Sequence, residues 1–436
     1  MTFAANGEHM DDGKKSICII SFSPIYRDGR VLRQIKYLST YYRLSVIGYG
    51  QPPSDWVNHA NVKWYSVEVP NPEDHQTESL NKKRYMSQYS ISKLNHTWIV
   101  KLLLPAAKKL KVLLSYSLLG LGRFHPWFYE VWYWRQKYRL KSLQYAVQSG
   151  CHAFHANDWE ALPIAAKAAR RCQSKLVFDA HEYAPLELEN RCYWKLLFRP
   201  TVIYFIKKYA SQVNASATVA PVISERYKKE FELDAVVILN TPESEHLPVR
   251  QLDFHHIRLV HHGGAIRDRR LEKLIETLAL CDQRFSLHFI LLENDMRYLK
   301  ELTNLARDRT PGRVTFHEPV APGEIVKNIS EYDIGFCLIA PTNYNYLISL
   351  PNKFFDYIMA GLAICIGPSP SMAEIVHQYG LGCVAPSFVP RDIATMLNEL
   401  TSQRLSEMQR ASREASRQLC AEKEMKKLVE LYDHII

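Results

Sequence analysis

The 436 residues are 47% hydrophobic and 23% charged, the composition of a folded chain of two or three domains, which excludes a disordered polymer or a single small core. The net charge of +10 is not spread evenly: Lys82 to Lys141 holds thirteen Lys or Arg against one acid, Glu130, so that window carries +12 and the rest of the chain −2. The basic balance therefore describes one segment and gives no reason to expect nucleic-acid binding by the whole protein.

Residues 1–15 are polar and mixed in charge. They lack the apolar stretch of a secretory signal and read as a mobile tail. No apolar run reaches the roughly 18 residues of a spanning helix. The nine cysteines are odd in number and have no C-x-x-C pair. Cys18 and Cys337 sit inside strand-like runs, which suits buried thiols in a reducing compartment. These features lead us to expect a cytoplasmic protein.

The first strand reads at Ile17–Phe22. A helix begins at Arg30, with Val31, Leu32, Ile35 and Leu38 on one face. Strands at Leu44–Ile47 and Val62–Val67 precede the basic window, read as a helical insertion over about 82–141. From His152 strands and helices alternate: Ala153–Ala156, a helix Trp159–Cys172, Lys175–Ala180, helical patterns from Leu186 to about Ala210, Ala217–Val219, and Val236–Leu239. Residues 241–256 contain Pro242 and Pro248, show little periodicity and read as a linker.

A second alternation has strands at Arg258–His261, Ser286–Leu291, Val314–Phe316, Ile334–Leu338, Ala363–Ile366 and Cys383–Val384. One charged amphipathic helix is expected over Ser402–Ile436. The pattern predicts an α/β chain of two Rossmann-like domains facing across a cleft: 16–240, then 257–415, with 416–436 packing back toward the first. Ligands in such sheets sit beyond the carboxyl ends of the strands.

Chemistry concentrates at those ends. In Leu350-Pro-Asn-Lys-Phe-Phe-Asp, Pro351 opens a helix whose free N–H groups form an anion site. Lys353 adds charge, Asp356 is placed to accept hydrogen bonds from a ribose, and Glu374 sits on the next helix. An ordinary β-α-β unit explains the stretch equally well on local physics. In His261-His-Gly-Gly-Ala-Ile-Arg-Asp-Arg-Arg, Gly263 and Gly264 permit close backbone approach. Arg267, Arg269 and Arg270 supply charge for phosphates, the alternative being a solvent-exposed basic helix start. Asp28-Gly29-Arg30-Val31 comes after the first strand, and a simple helix cap at Asp28 would also account for it. His155-Ala-Asn-Asp158 and Asp179-Ala-His181-Glu182 lie at later strand ends, where a hydrogen-bonded structural histidine is the plain alternative.

These segments together resemble glycosyltransferase family 4, whose nucleotide-binding signature reads roughly P-N-K-[LF]-F-[ED]-Y-x-A-x-G. The resemblance implies a GT-B fold and a retaining transferase using a nucleotide-diphospho-sugar donor, with a UDP-sugar first in line. It implies Arg269 and Lys353 on the diphosphate, Asn352 beside them, and Asp356 on the ribose. Gly263, Gly264, Arg267, Glu374, Asp28 and Gly29 would border the donor. His181 would contact the donor sugar or acceptor, with Asp158 and Glu182 on the acceptor side. Neither Ile348 nor Ser349 is acidic, although the family's commoner form has a second acid there. No D-x-D triplet occurs, so a metal-independent site without a cofactor is expected.

The insertion combines Leu runs with twelve aromatics among its lysines and arginines. That suggests an anionic membrane surface met through about 85–140, and hence a lipid-linked or glycan acceptor in cell-surface polysaccharide or glycolipid synthesis. A helical pair with a solvated basic face is the alternative. A nucleotide-sugar epimerase of the same fold, a non-catalytic membrane partner and, third, a nucleic-acid binder are the rival functions.

Overall fold

The computed structural model describes residues 13–57, 59–68, 110 and 112–436. Most of the expected tail, and residues 82–109 and 111 of the insertion, lie outside the described residues.

Seven strands build the first sheet: β1 (Ser16–Pro24), β2 (Arg43–Tyr49), β3 (Val62–Val67), β4 (Ala153–Asn157), β5 (Lys175–Ala180), β6 (Ala215–Thr218) and β7 (Ala235–Val237). All pairs are parallel, in the order β3-β2-β1-β4-β5-β6-β7. Six more build the second: β8 (Ile257–Gly264), β9 (Phe285–Leu292), β10 (Val314–His317), β11 (Ile334–Cys337), β12 (Ala363–Ile366) and β13 (Gly382–Val384). Their order is β10-β9-β8-β11-β12-β13, again parallel throughout. Two doubly wound parallel sheets are therefore present, as the alternation predicts.

The period of two explains why the strands are apolar on both sides. Ile17 and Ile19 pack into the layer on one face of the first sheet, while Cys18 and Ile20 pack into the layer on the other. Helices cover both faces, so neither set of side chains meets water.

Two elements differ from expectation. The single helix expected over Ser402–Ile436 is two, Ser402–Ser416 and Ala421–Asp433, with Cys420 extended between them. The break lets the second helix cross to the first sheet, where Met425, Leu428 and Tyr432 join the layer containing Ile17 and Ile35. Tyr432 Oη lies 2.6 Å from His155 Nδ1, and Ala421 N–H donates to the Pro242 carbonyl at 2.8 Å.

The second difference concerns the described part of the basic insertion. Tyr129, Trp132, Tyr133 and Tyr138 are buried core. Arg139 is buried too, its guanidinium 4.0 Å from the Tyr133 ring centre and 5.0 Å from that of Trp132. Much of the aromatic excess thus packs the helices Trp127–Trp134 and Lys137–Ser149 onto the sheet. The near end also exposes large apolar side chains, among them Leu113, Leu114, Phe124 and Trp127.

Candidate active site

Each sheet reverses its strand order once, between β1 and β4 and between β8 and β11. Such switch points open a crevice beyond the strand ends. The two crevices face each other and form one cleft of about 730 Å³, bordered by Ser23 and Pro24 from the first and by Gly263 and Ile339 from the second.

On the second-sheet wall, Lys353 is buried in the first turn of the helix Asn352–Met359, and Pro351 precedes it in extended conformation. The Lys353 ammonium donates to His261 Nε2 at 3.0 Å, and His261 Nδ1–H donates to the Phe336 carbonyl at 2.8 Å. Because a carbonyl only accepts, that second bond fixes the tautomer and leaves Nε2 free to accept. Burial, then Lys353, hold the His261 pKa well below the ordinary histidine value. Burial, then the nearby Arg269, pull Lys353 itself down to about 7.

Gly263 lies between these cations at φ +113°, a region that suits glycine. A Cβ there would come within 3.3 Å of Lys353 Nζ and 3.8 Å of Arg269 Nη1. Arg269 Nε is buried with no hydrogen-bond partner among the described residues. Two crowded cations, a bare stretch of backbone and a helix N-terminus make an anion site. Asp356 lies one turn deeper, with Oδ2 3.4 Å from His262 Nε2. Burial raises its carboxyl to about 7, against the opposing pull of Arg33.

The first-sheet wall is organised around Asp179, which is fully buried at the end of β5. Its carboxylate accepts from Arg30 at 2.7 and 2.9 Å, and from Gln34. Despite burial, Arg30 holds that carboxyl well below its ordinary range. Arg30 is in turn anchored by the Ile238 carbonyl at 2.8 Å.

His181 stands between two carboxylates, Nε2 at 3.2 Å from Asp179 and Nδ1 at 3.4 Å from Asp158. Burial lowers its pKa, but Asp158 and Asp179 outweigh this and raise it to about 9. It is therefore a held cation and not a general base at neutral pH. Asp158 opens its helix at φ +62°, a strained conformation for a side-chain-bearing residue. That bend turns its carboxylate toward His181, whose backbone N–H it also accepts at 3.3 Å.

The cleft brings together Asp28, Gly29, His181, Glu182, Gly263, Arg269, Asn352, Lys353 and Asp356. The Asp28 carboxylate caps the helix Gly29–Tyr41 through Arg30 N and Val31 N, both at 3.2 Å. Three residues given a donor role by the sequence lie outside the cleft lining. Arg267 faces solvent and is engaged by Glu301 at 2.6 and 2.9 Å and by Asp295 at 3.1 Å. The tight 3-10 turn Arg267–Arg269 separates it from Arg269. Glu374 is exposed on the helix Pro370–Tyr379. Gly264 is a packing glycine, where a Cβ would meet Asn294 Nδ2 at 2.8 Å.

Sequence reasoning passed over Arg33 and Asn240, both in the cleft lining. Arg33 is one turn beyond Gly29 on the same helix, and that i, i+4 spacing was the available signal. Burial lowers its pKa to about 10, opposed by Asp356 across the cleft. Asn240 donates to Asn352 Oδ1 and so joins the two halves.

No protein-family model and no curated protein sequence matches the chain. Solved structures do. HepE of Anabaena in complex with UDP-glucose superposes with a TM-score of 0.65 at 13% identity, over 96% of this chain and 99% of that one. Sucrose-phosphate synthase from Thermosynechococcus elongatus gives 0.64 at 12% identity, over 97% and 99%. A glycosyltransferase from Rickettsia africae gives 0.63 at 10% identity, over 97% and 98%. The likeness spans both sheets and establishes the GT-B fold for this chain.

Proposed function

We propose that this protein is a retaining glycosyltransferase. It moves a sugar from a nucleotide-diphospho-sugar, a UDP-sugar first in line, to a glycan or lipid-linked acceptor in cell-surface polysaccharide or glycolipid synthesis. The observation that carries this reading is the convergence of Lys353, Arg269 and Gly263 on one anion-sized place in the cleft, with Asp356 a turn away. A diphosphate between the two cations would offset the burial and the Arg269 repulsion that lower Lys353. The solved HepE complex with UDP-glucose, in the same fold, points the same way.

The chemistry asked of the site is modest. The bond from the anomeric carbon to the diphosphate oxygen breaks, and the bond to the acceptor hydroxyl forms on the same face. The acceptor proton passes to the leaving phosphate oxygen, so no protein base is needed. That agrees with His181, which is held as a cation and stabilises developing negative charge. Arg269 and Lys353 stabilise the leaving diphosphate without a metal, and Asp356 holds the ribose. The donor sugar is gripped from the loop carrying Asn345 and Tyr346, since Ser349 lines the cleft without supplying a carboxylate.

The protein acts peripherally at the cytoplasmic face of a membrane. Support comes from the exposure of Leu113 (62%), Leu114 (53%), Phe124 (87%) and Trp127 (57%) beside a strongly basic stretch. Among the described residues no helix is long and apolar enough to cross a membrane. Turnover of UDP-sugars by purified protein tests the reaction. Arg269→Ala and Asp356→Ala are each expected to abolish UDP release, and retention of full turnover in both would contradict the proposal.

A further inference from the structure

A second cavity of about 190 Å³ opens beside the main cleft and shares Ser23, His181 and Glu182 with it. Its wall carries four carboxylates, Asp158, Glu160, Glu182 and Glu187. Three of them have protein partners. Asp158 faces His181 at 3.4 Å, Glu160 faces Arg139 at 3.6 Å, and Glu182 Oε2 accepts from Asn345 Nδ2 at 3.4 Å. Glu187 has no ion pair or side-chain hydrogen bond among the described residues, and burial, then Glu182, Asp158 and Glu160, push its carboxyl well above the usual range.

A second feature is independent of these charges. Asn157, at the end of β4, is 2% exposed and lines this pocket, and among the described residues neither its Oδ1 nor its Nδ2 has a partner. The Nε1–H of Trp194, 1% exposed on the same wall, also has no partner among the described residues. Buried polar groups are rarely left unpaired, so these two mark a place where a polar ligand completes the bonding.

We infer that this side pocket is the acceptor subsite, and that it selects an acceptor unit bearing a protonated amine, such as an amino sugar with a free amine. The inference rests on the glycosyl-transfer reading of the main cleft. Hydroxyl groups alone could bond these carboxyls but would do nothing to favour their ionised form. An ammonium favours that form and can donate to Glu187 and Glu182 together. Asn157 and Trp194 Nε1–H remain to bond the ring hydroxyls. A phosphorylated acceptor unit would add to the negative charge and is excluded. A metal ion fits poorly, since among the described residues no three ligating side chains are grouped to hold one. His181, shared by both cavities, stands where the acceptor hydroxyl meets the donor sugar.

Calorimetric titration of glucosamine, glucose and N-acetylglucosamine into protein saturated with UDP tests this. Glucosamine at pH 7 is expected to bind at least about tenfold more tightly than either neutral sugar, the lower end of what a charge-assisted contact contributes. In Glu187→Gln the preference should collapse to the level of glucose, with UDP binding serving as the check that the variant is folded. Glu182→Gln replaces it if that variant is unstable. Glucosamine binding no better than glucose, or a preference untouched by the substitution, would overturn the inference. Failure of UDP itself to bind would instead count against the donor site, and the three sugars would then be compared without it.

Discussion

Lys353 shows most directly how a side chain's surroundings state its task. At about 7, its pKa makes it mostly neutral at pH 8, whereas a bound diphosphate favours the ammonium. Asp356, raised to about 7 by burial, is by then mostly ionised and has little left to release. UDP binding at pH 8 should therefore take up close to one proton, read as calorimetric enthalpies that vary with buffer ionisation heat. Lys353→Met should abolish the uptake and weaken UDP about 10–100-fold, the range of a charged hydrogen bond. His181 has the opposite sign of shift, from 6.5 up to about 9. Its stabilising contribution is complete below 6.5 and is lost as pH rises through 9. Stability against urea should fall across that interval in the native chain and less steeply in Asp179→Asn, where Asp158 alone still raises the His181 pKa. That variant also breaks a buried ion pair and should cost about 3–5 kcal/mol. That Lys353, Arg269 and Asp356 share one cleft was legible because motif and strand end coincided. Asp179 stands in a motif too, yet its role was hidden, since nothing local reveals that Arg30, 149 positions away, is its partner.

Elements were readable where periodicity carried them and unreadable where tertiary contacts decided. The thirteen strands coincide with apolar runs bounded by turns. The break at Arg417–Cys420 has no Gly or Pro to announce it. Cys420 is held extended by the docking of the helix Ala421–Asp433 on the first sheet. The aromatic insertion misled in a similar way, because composition does not tell a ring packed in a core from one meeting lipid. The exposed end at Leu113–Trp127 still predicts membrane contact. The double substitution Phe124→Glu and Trp127→Glu should abolish co-sedimentation with phosphatidylserine vesicles and leave UDP binding in solution unchanged. Across the cleft, Arg226 lies 4.5 Å from the Tyr183 ring centre and 4.4 Å from that of Tyr344, a clamp between the halves. Arg226→Ala should loosen it and raise the KM for donor more than it lowers kcat.

At the scale of the molecule, the GT-B arrangement results from two parallel sheets whose switch points face each other. Alternation in the sequence foretold the sheets. How closely the halves approach depends on contacts the sequence does not display, such as Asn345 Oδ1 accepting from Tyr183 N at 3.0 Å and Glu189 accepting from Tyr344 N at 2.8 Å. The C-terminal helix is the other tie. Ending the chain after Cys420 would remove buried Met425, Leu428 and Tyr432, at about 1.5–3 kcal/mol each. That is comparable to the roughly 5–15 kcal/mol margin of a folded domain, so the shortened chain should unfold at a markedly lower temperature. The central claim is that the cleft binds a nucleoside diphosphate between Arg269 and Lys353. Calorimetric titration of UDP into the native protein and into the double variant Arg269→Ala, Lys353→Met tests it most directly. Saturable binding at one site, lost in the double variant while the fold is retained, is the predicted result. Native protein that does not bind UDP, or a double variant that binds it equally well, would contradict the account.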